Sequence, residues 1–200
     1  MKKAKIAVLV SGGGTNLQAL IDAQAAGKIT SGEISLVISN NPNAFALQRA
    51  ENANIPTEII TKAQCVSQAC FEQKIKTAIG KHEIDLIVLA GFMSILSEDF
   101  TKDFPERIIN VHPSLIPSFC GKGFYGLRVH EEALAYGVKV TGATVHFVNE
   151  IPDGGKILLQ KAVAIEEGDT PEILQKRVME QAEWQILPEA VEMVSKTVLR

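Results

Sequence analysis

Apolar runs alternate with helical patterns along the first half of the chain. The apolar runs, which predict strands, lie at about 5–10, 34–39, 55–60 and 85–90. The helical patterns between and after them lie at about 17–27, 44–53 and 69–81. The run at 85–90 is almost wholly apolar, as expected for a central strand that is covered on both faces. This alternation predicts βαβ units around a mainly parallel sheet.

The second half of the chain departs from this alternation. A strand at about 107–112 is followed by 113–125, a segment with glycines and prolines that is interpreted as a mobile flap. A helix is predicted at about 127–136. The turn Pro152-Asp153-Gly154-Gly155 then separates two stretches of β-rich sequence, 142–149 and 156–165. These two stretches predict an antiparallel hairpin appended to the parallel sheet.

A final helix is predicted to begin at Thr170, which has the side chain of an N-cap residue. Pro171 suits the first helical turn, and Glu172 is favourable at the positive end of the helix dipole. Pro188 is expected to kink or end this helix. Without a repeat, a linker or a low-complexity segment, the pattern indicates one α/β domain over residues 1–200.

Composition narrows the class of partner. Hydrophobic residues make up 46% of the chain and charged residues 22%, which is ordinary for a globular protein. A net charge of −3 without a basic cluster argues against nucleic acid as a partner and favours small molecules. Three cysteines without a C-x-x-C pair favour free thiols, and therefore a cytoplasmic location. No apolar stretch approaches the length of a membrane span, so no membrane association is expected.

The residues Asn110-Val111-His112-Pro113 carry the strongest chemical signal. Positions i and i+2 of a strand point to the same side, so Asn110 and His112 can act on one reacting atom. The amide suits a developing oxyanion, and the imidazole can carry a proton. Pro113 forbids a continued inner strand, so the chain leaves the sheet where α/β proteins keep their sites.

The loop Ser11-Gly12-Gly13-Gly14-Thr15-Asn16 lies between the first strand and the first helix. Backbone amides and the helix dipole can bind a phosphate at such a loop. Leu17 stands where a dinucleotide fingerprint needs glycine, and there is no G-K-[ST] sequence, so a single phosphate monoester is favoured. The alternative is a tight strand-to-helix turn with Thr15 or Asn16 as the N-cap.

The other histidines and Asp153 have simpler alternatives. We interpret His82 as a helix-end residue and His130 as part of a solvated helix face. His146 either supports the site or is simply buried and hydrogen-bonded. Asp153 before glycine is ordinary turn chemistry unless the turn lies beside His112, where its carboxylate would raise the proton affinity of the imidazole. No spacing of histidines and cysteines resembles a metal site.

Several motifs in order along almost the whole chain closely resemble folate-dependent phosphoribosylglycinamide formyltransferases. They are Ser-Gly-Gly-Gly-Thr-Asn (11–16), Ala-Gly-Phe-Met (90–93), Asn-Val-His-Pro-Ser-Leu-Ile-Pro (110–117), Val-Thr-Gly-Ala-Thr-Val-His-Phe-Val (140–148) and Asp-Gly-Gly (153–155). The Asn, His and Asp signature is shared with methionyl-tRNA formyltransferase and formyltetrahydrofolate deformylase. Those enzymes typically carry an additional domain, for which 200 residues leave no room beside this core. The resemblance therefore favours the glycinamide ribonucleotide enzyme.

The resemblance implies a three-layer Rossmann-like fold and a set of site residues. It implies that Asn110, His112 and Asp153 are catalytic. For the acceptor, it implies contacts from Gly14, Thr15, Asn16 and Glu183. For 10-formyltetrahydrofolate, it implies a pocket formed by Met93, Ser94, Ile95, Leu96, Asn110, Val148, Asn149, Glu150 and Ile151, with Gln68 and Ser94 at positions where some relatives carry an arginine that can contact the folate tail.

The implied reaction is direct attack of the acceptor's amine on the formyl carbon of 10-formyltetrahydrofolate, the co-substrate. It needs neither an enzyme nucleophile nor a metal, and it belongs to de novo purine biosynthesis. The expected assembly is a monomer or a weak homodimer. Two other readings remain open: a hydrolase that deformylates the same folate, and a phosphate-binding or sensor module that uses the glycine loop without His112.

Overall fold

A seven-stranded sheet runs through the centre of the molecule in the computed structural model, which describes residues 2–199. The strands are β1 (Ala4–Val10), β2 (Gly32–Ser39), β3 (Thr57–Ile59), β4 (Leu86–Leu89), β5 (Ile108–His112), β6 (Val140–Phe147) and β7 (Ile157–Ala164). Their order across the sheet is β3-β2-β1-β4-β5-β6-β7. The first five pair in parallel, whereas β6 pairs antiparallel with both β5 and β7. The mainly parallel sheet with a C-terminal antiparallel hairpin is thus confirmed.

Helices cover both faces of this sheet. They are α1 (Thr15–Ala25), α2 (Phe45–Asn52), α3 (Gln68–Lys81), α4 (Glu98–Lys102), α5 (Leu127–Tyr136), α6 (Pro171–Val178) and α7 (Trp184–Val198). Side chains of β1 alternate between two hydrophobic clusters: Ile6 and Val8 pack with α1, α2, α6 and α7, whereas Ala7 and Leu9 pack with α3 and α4. The predicted three-layer arrangement is confirmed.

The strand order reverses between β1 and β4, which are neighbours in the sheet although far apart in sequence. The connection after β1 leads to one face of the sheet, and the connection after β4 leads to the other. Such a switch point leaves a crevice at the carboxyl ends of the strands, where α/β proteins bind ligands. The glycine loop at 11–14 follows β1, and residues 90–97 follow β4.

The C-terminal helical region differs from the prediction at Pro188. Thr170 caps α6 as expected, since its side chain accepts a hydrogen bond from the Ile173 amide. The helix does not end at Pro188, so that alternative of the prediction is wrong; a π-helix, Met179–Glu183, leads into α7, which continues to Val198. Proline lacks the amide that would bond to the Trp184 carbonyl. Because Trp184 begins α7 at the π-helix junction, the regular bonding pattern is already interrupted there.

The remaining differences are small. β3 spans Thr57–Ile59, shorter than the predicted 55–60, and the short helix α4 was not predicted. Cys65, Cys70 and Cys120 are free thiols, as expected. Within residues 2–199, no helix has both the length and the apolar character that crossing a membrane requires.

Candidate active site

Strand β5 places Asn110 and His112 side by side at the carboxyl edge of the sheet. Asn110 pairs in parallel with Leu89 of β4 and lies opposite His146 of antiparallel β6. His112 lies opposite Thr144, and its ring is almost fully buried. The two side chains therefore occupy alternate positions on one face of the strand, as the sequence predicted.

The turn after β6 brings Asp153 over His112. Oδ2 of Asp153 lies 3.4 Å from Nδ1 of His112, and Oδ1 lies 3.5 Å from Nε2 of His146. Asp153 adopts a positive φ of 57°. Gly155 must be glycine, because a Cβ there would lie 1.8 Å from the Phe147 carbonyl oxygen. The condition set for a role of Asp153, that its turn lies beside His112, is met.

His146 is both buried and part of the site. Its Nδ1 donates to the Phe147 carbonyl oxygen at 2.7 Å, which leaves Nε2 of a neutral ring as an acceptor. Nδ2 of Asn110 lies 3.3 Å from this Nε2 and can donate to it. A protonated His146 would instead donate to Asp153. The ring therefore orients the amide of Asn110 when it is neutral and the carboxylate of Asp153 when it is protonated.

Burial and charge oppose each other at His112. Burial lowers the pKa of His112 below its ordinary value, although the Asp153 carboxylate and the Phe119 carbonyl act in the opposite direction. The carboxylate thus acts with the expected sign, but the expected rise in proton affinity is outweighed by desolvation. Burial would raise the pKa of Asp153, but the His146 hydrogen bond, the charge of His112 and the Gly121 amide together hold it below its ordinary value.

The flap, residues 113–125, contacts the side chains of His112 and Asp153. The carbonyl oxygen of Phe119 accepts a hydrogen bond from Nε2 of His112 at 2.9 Å, and the amide of Gly121 donates to Oδ2 of Asp153 at 2.8 Å. The Phe119 ring packs edge-on against Tyr136 of α5, with centroids 5.9 Å apart. Both ring nitrogens of His112 consequently face oxygen acceptors, an arrangement that suits the imidazolium once its desolvation is relieved.

Two adjoining cavities open beside these residues, with volumes of about 690 Å³ and about 130 Å³. Six residues line both cavities: Phe92, Ser94, Ile95, Asn110, Pro152 and Asp153. The residues predicted for formyl-folate line one cavity or both: Met93, Ser94, Ile95, Leu96, Asn110, Val148, Asn149, Glu150 and Ile151. Exposed apolar side chains at their rim, among them Met93, Ile95, Tyr125 and Ile151, suit a flat, largely apolar ligand.

Gln68 lines neither cavity. Its Nε2 donates to Oε1 of buried Glu72 at 2.7 Å and to the Ile95 carbonyl oxygen at 3.1 Å. Ser94 is buried, and its hydroxyl accepts from Nδ2 of Asn40 at 2.9 Å. Gln68 is thus engaged within the protein, whereas Ser94 bonds to Asn40 and also lines both cavities. Both residues hold the 92–97 segment in place.

The glycine loop directs its carbonyl groups inward. The oxygens of Gly12, Gly13 and Gly14 accept from the amide of Ala46 (3.1 Å), Nε of Arg49 (2.8 Å) and the amide of Gln18 (2.9 Å). Among residues 2–199, no hydrogen bond uses the amides of these three glycines. Gly14, at φ 71°, is the N-cap of α1 and makes no side-chain cap, so the alternative with Thr15 or Asn16 as N-cap is wrong. Amides free of partners are what an anion needs.

Thr15 and Asn16 face the π-helix. Nδ2 of Asn16 donates to Oε2 of Glu183 at 2.6 Å, while its buried Oδ1 has no partner among the described residues. The hydroxyl of Thr15 lies 3.7 Å from Sδ of Met179. Burial raises the pKa of Glu183, and the Asn16 bond opposes this rise. The four residues predicted for the acceptor, Gly14, Thr15, Asn16 and Glu183, therefore form one group.

The structure also reveals features that sequence reasoning missed. His130 is fully buried rather than solvated, and neither ring nitrogen has a partner within residues 2–199; burial lowers its pKa to about 4, with the charge of His112 acting in the same direction.

The Ser11 hydroxyl accepts from the Met93 amide at 2.8 Å, which joins the glycine loop to the 92–97 segment. In the sequence, the only sign of this contact is that a serine, which can form hydrogen bonds, stands at the start of the glycine loop. The part of the chain that is described holds no group of three metal-binding side chains.

Comparison with known proteins gives a consistent result. The formyl transferase family model matches residues 4–191. Phosphoribosylglycinamide formyltransferase of Haemophilus influenzae is 41% identical over 98% of this chain and 89% of its own length. The crystal structure of glycinamide ribonucleotide transformylase 1 from Symbiobacterium toebii superposes with a TM-score of 0.91, at 39% identity, over 98% of this chain and 89% of that chain.

Some relatives are much longer than this chain. The human trifunctional purine biosynthetic protein adenosine-3 is 44% identical over 97% of this chain, which spans only 18% of that protein. The chloroplastic phosphoribosylglycinamide formyltransferase of Arabidopsis thaliana is 36% identical, and the chain spans 61% of its length. The similarity in each case covers most of the chain described here.

Proposed function

The chain belongs to the formyl transferase family, and from that membership we propose that it transfers the formyl group of 10-formyltetrahydrofolate to the amine of 5-phosphoribosylglycinamide. This reaction is a step of de novo purine biosynthesis, in accordance with the names of its relatives. The observation that carries the proposal is the approach of Asp153 to His112, at 3.4 Å, beside a cavity of about 690 Å³.

In the proposed mechanism the acceptor's amine attacks the formyl carbon directly. One N–H of the Asn110 amide is oriented by His146, and the second is available for the tetrahedral oxyanion. Protonated His112 stabilises the same oxyanion. The attacking amine loses a proton and the departing folate nitrogen gains one, so the reaction needs no net acid or base. Asp153 supports the imidazolium and moves this proton directly or through water.

The lowered pKa of His112 has a place in this mechanism. Burial favours the neutral ring. Displacement of the Phe119 carbonyl by the developing oxyanion would put a negative charge at Nε2, which favours the imidazolium at the moment it is needed. The catalytic role of His112 is then differential: its charge is stabilised more strongly by the oxyanion of the transition state than by the Phe119 carbonyl.

For the acceptor, we propose that the amides at Gly14, Thr15 and Asn16 bind the phosphate. Two observations support this proposal: the loop carbonyls point inward, and the loop lies at the N-terminus of α1. Glu183, held by Asn16 at 2.6 Å, is proposed to contact the sugar, whose hydroxyl groups can donate to a carboxylate.

For the co-substrate, we propose that the pteridine of 10-formyltetrahydrofolate occupies the two adjoining cavities. The 93–96 and 148–151 segments would hold it from opposite sides, with Asn110 at the formyl group. We infer that Gln68 and Ser94 act on the folate through the segment they support. The amide of Gln68 donates to Glu72 and Ile95, and the hydroxyl of Ser94 accepts from Asn40.

The proposal also covers assembly and location. We infer one domain over residues 1–200, with acceptor binding mainly in the N-terminal half and catalysis and most formyl-folate contacts in the C-terminal half. We propose a monomer or a weak homodimer in the cytoplasm, without metal, nucleic acid or membrane as a partner. Free cysteines support the reducing compartment, and the net charge of −3 supports small molecules as partners.

One assay tests the reaction. The protein is mixed with 10-formyltetrahydrofolate, with and without glycinamide ribonucleotide, and loss of the formyl group is followed. Loss that depends on the acceptor and yields formylated acceptor is expected. Release of formate without the acceptor would instead identify a hydrolase. No reaction in either mixture would leave a phosphate-binding module as the better reading.

A further inference from the structure

Arg49 of α2 holds the glycine loop and keeps its charge unneutralised. Its Nε donates to the Gly13 carbonyl oxygen at 2.8 Å, and its Nη1 donates to Oε1 of Gln18 at 3.1 Å. The guanidinium lies over the ring of Phe45, 5.0 Å from the centroid. Arg128 and Arg177 each pair with a carboxylate. Arg49 forms no ion pair with any carboxylate of residues 2–199; Arg107 forms none either, but its guanidinium is taken up by the carbonyl oxygens of Asp85 and Ile84.

The side chain lies where a ligand on the loop would meet it. Arg49 lines a small cavity of about 140 Å³ together with Thr15, the first residue of α1. Gln18 and Trp184 line the same cavity, and the buried indole Nε1 of Trp184 has no partner among the described residues. Nη2 of Arg49 makes no hydrogen bond within residues 2–199. Polar hydrogens are thus left unused beside the loop amides.

A phosphate monoester needs more positive charge than the loop supplies. It carries nearly two negative charges at neutral pH, whereas a helix N-terminus is equivalent to roughly half an elementary charge. Glu183 and Asp22 lie on the same side of the fold and add negative charge when they are ionised. A guanidinium without a carboxylate partner is suited to correct this balance, and its planar fork matches phosphate oxygens.

We propose that Arg49 is a binding residue for the phosphate of the acceptor. Gly13, Gln18 and Phe45 fix its guanidinium, which supplies the formal positive charge that the loop amides lack. This inference rests on the proposed function, because it assigns Arg49 to the phosphate of that acceptor. A purely structural role, in which Arg49 only holds the Gly13 carbonyl, is the competing explanation.

The two explanations differ in what happens when the phosphate is removed from the substrate. We would measure kcat and KM of wild type, Arg49→Gln and Arg49→Lys with glycinamide ribonucleotide and with the corresponding nucleoside, which has a 5′-hydroxyl group. The control Lys28→Gln removes the same charge at an exposed position just beyond α1, away from the loop. Thermal melts report whether each variant is folded.

If Arg49 binds the phosphate, Arg49→Gln should raise the KM for the ribonucleotide about 10- to 100-fold, the loss typical of a charge-assisted contact. In Arg49→Gln, the kcat and KM measured with the nucleoside and the KM for formyl-folate should equal those of wild type. Lys28→Gln should have wild-type kinetics with every substrate. Arg49→Lys should recover part of the loss in KM for the ribonucleotide. Equal losses with ribonucleotide and nucleoside, or no loss with either, would overturn the inference.

A titration with inorganic phosphate separates this inference from the proposed reaction. Wild type should bind phosphate, detected by calorimetry, and Arg49→Gln should bind it about 10-fold or more weakly. Weaker phosphate binding in a protein that transfers no formyl group would contradict the proposed reaction but support Arg49 as a phosphate residue. Equal phosphate binding by both proteins would refute the assignment of Arg49, whatever the activity.

Discussion

At the scale of single residues, the site depends on one carboxylate between two imidazoles. Asp153 approaches His112 and His146 with different oxygens, at 3.4 Å and 3.5 Å. Its lowered pKa keeps it ionised at neutral pH, so it can stabilise a proton on either ring. Two effects therefore act on the charge of the His112 ring. Burial opposes the charge, and the Asp153 carboxylate favours it.

Replacement of His112 by alanine should act on the chemical step. We expect kcat to fall by about 10²- to 10⁴-fold, the usual contribution of an acid or base positioned at the reacting group. KM for both substrates should change little, because the ring touches only the reacting centre. Steady-state kinetics of His112→Ala measure both quantities, with His82→Ala, remote at the end of α3, as the control. A normal kcat with raised KM would contradict the assignment.

His130 should make stability depend on pH. Its pKa falls from an ordinary 6.5 to about 4 in the folded protein because the ring is buried. Below pH 6.5 the unfolded chain binds a proton that the folded chain refuses, so stability is lost as the pH falls from 6.5 towards 4. The full loss from this group is about 3 kcal/mol.

Urea unfolding of wild type and His130→Gln between pH 7.5 and 4 measures this effect. The variant should lose less stability than wild type over that window, even if its stability at pH 7.5 is lower. His82→Gln, which makes the same substitution at a partly exposed ring, serves as the control for the loss of an imidazole. Parallel curves for wild type and His130→Gln would show that His130 is not the group responsible.

At the scale of elements, the flap controls how deeply His112 is buried, and through this burial it affects the pKa of the imidazole. Phe119 packs against Tyr136 and presents its carbonyl oxygen to His112. Phe119→Ala removes the ring contact, loosens the flap and should hydrate His112. Since burial is the main cause of the lowered pKa, the pKa of His112 should rise in this variant. An NMR titration of the imidazole resonances measures it; Tyr125→Ala, an exposed position in the same flap, should leave it unchanged.

The glycine loop allows binding and folding to be separated. A Cβ at Gly14 would lie 2.6 Å from the Cβ of Ala46, so Gly14→Val should destabilise the protein as well as weaken binding. A Cβ at Gly13 meets nothing within 4 Å. Gly13→Val should therefore keep the wild-type melting temperature and raise only the KM for the phosphorylated acceptor. An unchanged KM in Gly13→Val would show that the phosphate does not lie against Gly13 and would contradict binding across the face of this loop.

Local patterns predicted the elements, and the misses have tertiary causes. The bounds of α5, Leu127–Tyr136, follow from its helical pattern. His130 on that helix was assigned to solvent because its neighbours are glutamates, but packing against other elements buries it. The continued helix at Pro188 depends on the π-helix just before it. Gln68 bonds to Glu72 one helical turn along α3, but its second partner, the Ile95 carbonyl, and the partner of Ser94, Asn40, are distant in sequence and follow from no local spacing.

At the scale of the whole molecule, the order of the strands brings the two proposed substrate sites together. The site could be predicted in outline because Asn110 and His112 share one strand and the glycine loop ends another. The approach of Asp153 could not be derived from its turn sequence, because it depends on the pairing of β5 with β6. The family resemblance predicted a role for Asp153, and the pairing of β5 with β6 explains why its turn lies beside His112.

Ligand binding should stabilise the whole fold. Glycinamide ribonucleotide at about 100 times its Kd should add roughly 2.7 kcal/mol to the free energy of unfolding. For a chain of this length, that corresponds to a rise in Tm of about 5–10 °C. Differential scanning calorimetry measures the shift, and Gly13→Val should lack it at the same concentration. Equal shifts in both proteins would place the acceptor elsewhere.

The inward carbonyls of the glycine loop have a consequence for the timing of binding. Glycines lose more conformational freedom than other residues when they become ordered. Here that loss occurs during folding, when Ala46, Arg49 and Gln18 take up the three carbonyl groups. An arriving phosphate meets amides already in position, and the rate of capture should be set by encounter rather than by loop closure. The flap, which lies over the histidine, then remains as the element whose movement can limit turnover.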